Sequence, residues 1–211
     1  RRAGSAHIIG LTGVPGSGKS TLLSALVMSF RRSNRRVGVV AVDPSSTYSG
    51  GAILGDRVRM ANLAADGGVF IRSLATRGNL GGLAPATLEI VDILDASGFD
   101  LVIIETVGVG QDEVDIANAS HTVVVVSAPG LGDDIQAMKA GVLEIADIHA
   151  VSKSDELGAH KTVSNLRGML GLGLVGRGVS DWTVPIISTS ARTGQGIEDL
   201  MGAIDDHAEH L

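Results

Sequence analysis

The chain has 211 residues, a formal net charge of −6 and no cysteine, which excludes a disulfide scaffold, a zinc ribbon, an iron–sulfur site and a cysteine-based zinc metallochaperone. An isoelectric point of about 5.4 argues against a nucleic-acid footprint. Aromatics make up 2% of the chain and glycine supplies 29 residues, about twice the usual ~7%, so the core is expected to be aliphatic and the backbone to turn sharply at many points.

Mean hydropathy is high, +0.29, yet no apolar run approaches the ~18 residues of a membrane span. The apolar residues instead form short Val/Ile/Leu runs, the pattern of buried parallel strands. Strands are predicted at His7–Leu11, Val37–Asp43, Val69–Ser73, Leu101–Glu105, Thr122–Ser127, Ile148–Ser152 and Val184–Ser188. Helices are predicted at Lys19–Arg31, Arg57–Ala65, Ala84–Ala96, Gln136–Ile145, Ala159–Leu170 and Ile197–Glu209. The alternation predicts one α/β domain over residues 1–211, a doubly wound, mainly parallel sheet with helices on both faces. The glycine-rich stretch Gly168–Ser180 reads as the most flexible loop. No apolar leader follows Arg1 and Arg2, so no signal peptide is expected.

Between the first strand and the first helix lies Gly13-Val14-Pro15-Gly16-Ser17-Gly18-Lys19-Ser20, a match to G-x-x-x-x-G-K-[ST] in its required strand–loop–helix setting. Its glycines let backbone N–H groups converge on a phosphate at a helix N-terminus. Lys19 is placed to reach the β- and γ-phosphates, and Ser20, with Thr21 beside it, to ligate Mg²⁺. Asp43 closes the second strand, where a carboxylate points into the crevice of an open sheet; it either faces Mg²⁺ and its waters or caps the turn at Pro44. Asp56, alone, reads equally as a helix N-cap. Glu105 ends an apolar strand and precedes Thr106-Val107-Gly108, a Walker B arrangement that holds the Mg²⁺ shell. The segment Val109–Glu113 resembles those that order on a γ-phosphate. Gln111 within it orients water or starts a surface helix.

Ser152-Lys153-Ser154-Asp155 follows a strand at the place of the Asn-Lys-x-Asp reader of guanine. Asp155 would accept from the base N1 and N2 hydrogens while the Lys153 stem covers the ring. Adenine leaves that carboxylate unpaired, which is the source of discrimination. Ser152 stands where the reader carries Asn, and its single short hydroxyl is expected to lose contacts toward the base or the phosphate loop. Ser190-Ala191-Arg192, after the last strand, matches a Ser-Ala-x loop whose backbone meets guanine O6.

Together these motifs resemble a GTPase of the MeaB/ArgK type, in the SIMIBI class of P-loop proteins. The resemblance runs through Gly10–Thr21, Ala41–Ser46, Gly50–Arg57, Arg77–Gly82, the string Glu105-Thr106-Val107-Gly108-Val109-Gly110-Gln111 and Ala128–Asp133. It implies that Asp43, Asp56 and Glu105 form an acidic Mg²⁺ environment, and that Asp56 lies in a first switch and Glu105–Glu113 in a second. Ala128–Lys139 would be a third mobile element, with Lys139 either an effector-dependent catalytic cation or a plain exposed lysine. Family members act as GTP-hydrolysing chaperones of adenosylcobalamin-dependent methylmalonyl-CoA mutase or related mutases. Bacterial ones are cytoplasmic and animal ones mitochondrial. The family's N-terminal helical extension and C-terminal dimerisation arm, and with them the homodimer of full-length members, are not expected within these 211 residues.

Three other functions stay open beside this one. A nickel-delivery GTPase would need a Cys/His-rich site. A small-molecule kinase, the older lysine/arginine/ornithine transport kinase reading, would use Asp43 or Glu105 as base. A nucleotide-dependent interaction module would turn over negligibly. The six histidines read as scattered, with His207 and His210 on a solvated helix end. Arg31, Arg32, Arg35 and Arg36 complement a helix dipole, and Trp182 packs near the last strand.

Overall fold

The computed structural model describes residues 4–43, 63, 65–75, 85–106, 112–130, 144–171 and 181–211. Seven strands run β1 (His7–Gly13), β2 (Val37–Asp43), β3 (Val69–Ala75), β4 (Leu101–Glu105), β5 (Thr122–Ser127), β6 (Ile148–Val151) and β7 (Ile186–Ser188). Five helices run α1 (Lys19–Arg32), α2 (Pro85–Ala96), α3 (Asp112–Ala119), α4 (Ala159–Gly171) and α5 (Ile197–His210). The strands form one sheet in the order β3-β2-β4-β1-β5-β6-β7, every pair parallel. From β1 the chain moves outward past β4 to β2, and from β4 it crosses β1 to reach β5. This reversal opens a crevice at the carboxyl ends of β1, β4 and β5, the usual ligand position in an open α/β sheet.

Side-chain alternation divides the core. Ile9 and Leu11, Val37 and Val39, Leu101 and Ile103, and Val124 and Val126 point to one face, where they meet Leu23, Leu26 and Phe30 of α1 and Leu200 and Ile204 of α5. Their neighbours Val40, Val42, Val102 and Ile104 point to the other, against Val91 and Leu94 of α2 and Ile116 of α3. Val123, Val125 and Val151 continue that second face under Val163 and Leu166 of α4. Both faces are therefore dry, which is why the strands read as continuous apolar runs rather than alternating ones. Among the described residues no helix is long and apolar enough to cross a membrane.

The predicted elements map closely, with informative shifts. β1 runs two residues further, to Gly13, and β3 two further, to Ala75, while β7 begins only at Ile186. The second half of the segment read as switch-like, from Asp112, is the start of α3. Gly168 and Gly171 are helical, so the glycine-rich stretch begins inside α4. The predicted helices Arg57–Ala65 and Gln136–Ile145 lie almost wholly outside the described residues. Arg31 and Arg32 do occupy the last turn of α1. Arg31 also forks onto Asp66 at 2.9 Å through Nε and Nη2, and Arg35 holds Asp205 at 2.5 and 2.7 Å.

Four of the six histidines, His7, His121, His207 and His210, gather together, while His149 sits within β6 and His160 on α4. At the amino edge of the sheet, His7 Nε2 and Thr122 Oγ1 lie 2.7 Å apart, and Thr122 Oγ1 and His207 Nδ1 also 2.7 Å. A hydroxyl donates once, so at least one of the two rings donates to Thr122. His207 Nε2 stands 3.6 Å from Asp147 Oδ1, while Val123 N–H donates to Asp147 Oδ2 at 2.8 Å. Trp182 Nε1–H donates to the Asp147 carbonyl at 2.8 Å, and its ring packs edge-on to His207. His207 is 4% exposed, which corrects the solvated-end reading; only His210 fits it. Burial first, then the neighbouring His121 and His207, lowers the His7 pKa to about 4. His149, fully buried in β6 between Val125 and Ile186, has no hydrogen-bond partner on either ring nitrogen among the described residues, and burial lowers its pKa to about 4.

Candidate functional site: a phosphate loop joined to a base-sized cavity

β1 delivers the phosphate loop into the crevice. Gly13 has φ +140°, and a Cβ there would lie 2.1 Å from the Val126 carbonyl of β5, so only glycine fits. The loop turns on Ser17 N–H donating to the Val14 carbonyl at 3.2 Å. α1 then starts from Gly18, in the left-handed region at φ 84°, with no side chain capping its first turn. Among the described residues the first N–H groups of that helix thus have no side-chain cap, and the helix dipole favours an anion there. Lys19, 8% exposed, folds back so that Nζ donates to the carbonyls of Gly13 at 2.8 Å and Val14 at 3.1 Å.

The parallel register sets Glu105 of β4 level with Leu11 of β1 and Ala41 of β2. Glu105 is buried, and Ser20 Oγ donates to its Oε1 at 2.8 Å. Thr106, the next residue, donates through Oγ1 to Thr12 Oγ1 at 2.9 Å in full burial. This pair pins the exit of β4 to β1, and the sequence reading did not find it. Ser20 and Glu105 bring a hydroxyl and a carboxylate together beside the phosphate loop. These are the hard oxygen donors that Mg²⁺ takes alongside water and phosphate, so the residues present fit that ion. Among the described residues no group of three or more His, Cys, Asp or Glu side chains is set to hold a metal by itself. Asp43 ends β2 two residues beyond the level of Glu105. Asp56, Gln111 and Lys139 lie outside the described residues.

The third component comes from the far side of the sheet. Ser152 leaves β6, its N–H donating to the Ser127 carbonyl at 2.8 Å. Its hydroxyl donates to the Ser17 carbonyl of the phosphate loop. The expected loss of contact at this position does not occur toward the phosphate loop: serine is short, but the loop comes to it. Lys153 follows with φ 52°, a conformation in which a non-glycine side chain is strained. That backbone brings the lysine stem to Gly18, whose missing Cβ would sit 3.8 Å from Lys153 Cε. Ser154 N–H donates to the Thr189 carbonyl at 2.9 Å and Thr189 N–H to the Val151 carbonyl at 2.7 Å, zipping together the loops after β6 and β7.

A cavity of about 310 Å³ results. Gly18 and Thr21 line one side, Lys153 and Asp155 another, and Ser190, Ala191 and Arg192 a third. The structure therefore gathers both proposed base-reading loops around one space beside the phosphate loop. The Ser190 hydroxyl holds the Asp155 carboxyl below the usual carboxylate range, more than burial raises it, and the Arg192 guanidinium adds to the effect.

Comparison with known proteins adds to this geometry. The family model of the methylmalonyl-CoA mutase-associated GTPase MeaB matches residues 1–211. A Pyrococcus horikoshii protein named as a GTPase is 52% identical over 99% of this chain and 66% of its own length. The mitochondrial methylmalonic aciduria type A homolog of Mus musculus is 38% identical over 91% of this chain and 46% of its own. A crystal structure described as a LAO/AO transport system kinase superposes with TM-score 0.76 at 30% identity, covering 99% of this chain and 61% of that one. The chain thus spans less than two thirds of the length of the relatives it matches.

Proposed function

The chain belongs to the family of methylmalonyl-CoA mutase-associated GTPases, MeaB, and from that premise we propose that it binds a guanine nucleotide and hydrolyses GTP with Mg²⁺. We further propose that this cycle gates adenosylcobalamin loading and protection of methylmalonyl-CoA mutase or a related mutase. The observation that carries the nucleotide reading is the continuity of the site: the Ser152 hydroxyl ties the base-reading loop to the phosphate loop at Ser17, with the cavity between them.

In this reading the triphosphate enters along Gly13–Ser20. Lys19 exchanges the Gly13 and Val14 carbonyls for β- and γ-phosphate oxygens, and the α1 N-terminus takes the remaining charge. Ser20 and Glu105 hold Mg²⁺ or its waters, with Asp43 and Asp56 as further acidic neighbours. The bound ion neutralises charge on the phosphate oxygens. Asp155 accepts from guanine N1–H and N2–H, the Lys153 stem covers the ring, and the backbone of Ser190-Ala191-Arg192 closes the cavity. Gln111 and Lys139 remain candidates for positioning water and for partner-dependent charge stabilisation. Phosphoryl transfer asks the protein for positioning and electrostatics, and these groups supply both.

Likeness to a LAO/AO transport system kinase supports a second reading, phosphoryl transfer to a small acceptor. The destination of the phosphate separates the two. With γ-labelled nucleotide, the GTPase reading expects inorganic phosphate only, at a rate raised by a mutase. Label on a lysine, arginine or ornithine added to the mixture would replace it with the kinase reading. A nickel-delivery role is not proposed, because the chain has no cysteine. Calorimetric titration with Mg²⁺ tests the base: GDP should bind far more tightly than ADP, and equal binding would remove the guanine assignment.

A further inference from the structure

Asp155 and Arg192 stand on different loops and meet at the rim of the cavity. Arg192 Nε–H and Nη2–H both donate to Asp155 Oδ2, at 2.9 and 2.5 Å. An ionised carboxylate offers about two lone-pair places per oxygen, so Oδ2 is fully occupied. The Ser190 hydroxyl also favours the ionised form of this carboxylate. Arg192 therefore holds both places of Oδ2, two of the four that the carboxylate offers.

The proposed base would need two of them. The N1–C2–N2 edge of guanine is itself a guanidine group, chemically the same head that arginine carries. Its two N–H donors and those of Arg192 compete for one acceptor. Ser190 is fully buried and its loop is zipped to β6, so it stays. The Arg192 side chain is 77% exposed and returns to water at little cost, because a solvated guanidinium keeps its hydrogen bonds. We propose that Arg192 is a displaceable stand-in for the base: it pairs with Asp155 whenever no base does and swings into solvent when guanine enters. This rests on the guanine reading of the cavity.

The consequence runs against intuition. A contact made only in the empty state subtracts from affinity, so removing this cation from the binding site should tighten binding. Arg192→Ala should bind GDP about two- to fivefold more tightly than the wild type, the scale of an exposed ion pair. ADP affinity should not change, so the GDP-to-ADP ratio, in which the phosphates cancel, should rise by the same factor. IDP, whose base lacks the N2 amino group, should gain less, because it displaces only one donor. Arg192→Lys, a point charge without the fork, should fall between. Raising salt from about 50 mM to about 500 mM screens the pair and should bring wild type and Arg192→Ala together.

Isothermal titration of GDP, IDP and ADP into the three proteins at both salt concentrations makes the test. Melting curves confirm that each variant is folded, and Arg192→Lys serves if Arg192→Ala is not. A wild type that takes ADP as well as GDP removes the guanine reading, and the stand-in with it. A wild type that prefers GDP, with Arg192→Ala or Arg192→Lys binding GDP equally or more weakly, overturns the stand-in alone. A GDP-specific gain that vanishes in high salt supports it.

Discussion

The two edges of the sheet hold polar groups on opposite terms. At the carboxyl edge, polar side chains meet partners that a ligand can replace: Lys19 on two carbonyls, Ser20 on Glu105, Asp155 on Arg192. At the amino edge, His7, Thr122, His207, Asp147 and Trp182 bond to one another, each buried or half-buried group held by another part of the fold. Both arrangements lower the cost of burying polar atoms. Only the first leaves room for exchange, so the same sheet carries a site at one end and a staple at the other.

The largest effect expected is at the first edge. Lys19→Ala should lower single-turnover GTP hydrolysis at least about 100-fold, the loss seen when one positioned charge donor is removed, with the unfolding midpoint little changed. Hydrolysis that survives this change would take Lys19 out of the mechanism.

Asp147→Ala should do the reverse. It strips an acceptor from the buried Val123 N–H and a carboxylate from His207, at a cost of about 2–3 kcal/mol in urea unfolding. GDP affinity of the folded protein should stay within about twofold, since additivity holds between distant sites. An affinity loss as large as the stability loss would mean the edges are coupled and the comparison is wrong.

Acid sharpens the contrast next. His7 and His149 have folded pKa values of about 4, below the ordinary 6.5. The unfolded chain takes up these protons first, so the stabilisation is complete above pH 6.5 and is lost as pH falls toward 4. The slope from His149 approaches about 1.4 kcal/mol per pH unit, and partly exposed His7 adds less. Urea midpoints from pH 7 to pH 4 should fall accordingly, and His149→Leu should flatten the curve. An unchanged slope in that variant would assign the acid response elsewhere.

The smallest effect lies between the two loops of the site. Ser152→Ala removes the bond to Ser17 and should weaken GDP about fivefold, one hydrogen bond's worth. An unchanged affinity would show that the phosphate loop keeps its shape without it.

What was legible in the sequence follows from range. The strands announced themselves because both faces of the sheet are buried, and the phosphate loop because its residues are consecutive. α3 escaped because its eight residues, Asp112 to Ala119, begin Asp-Glu-Val-Asp and carry only a short apolar stripe. The histidine network escaped because its members are about a hundred residues apart and meet only where β1 and β5 pair. Ser152 was read as a deficit because a side chain can be sized from sequence but the approach of its partner cannot. Arg192 was placed in the right loop, yet its hold on Asp155 depends on how two loops face each other. The register that sets Glu105 beside Leu11 was likewise beyond the pattern, although the acid itself was not.

The Ser152–Ser17 bond joins residues 135 positions apart. Such a contact carries a large loop-closure entropy and forms only after the intervening strands have assembled. A chain emerging from the ribosome therefore has its phosphate loop early and its complete pocket late, once Ser152 and then Ser190 have docked. Nucleotide has nothing whole to grip before that moment. In the proposed reading, nucleotide at a hundredfold excess over its dissociation constant would add about 2.7 kcal/mol to the finished fold alone, so the ligand would favour only chains in which the Ser152 and Ser190 loops have docked.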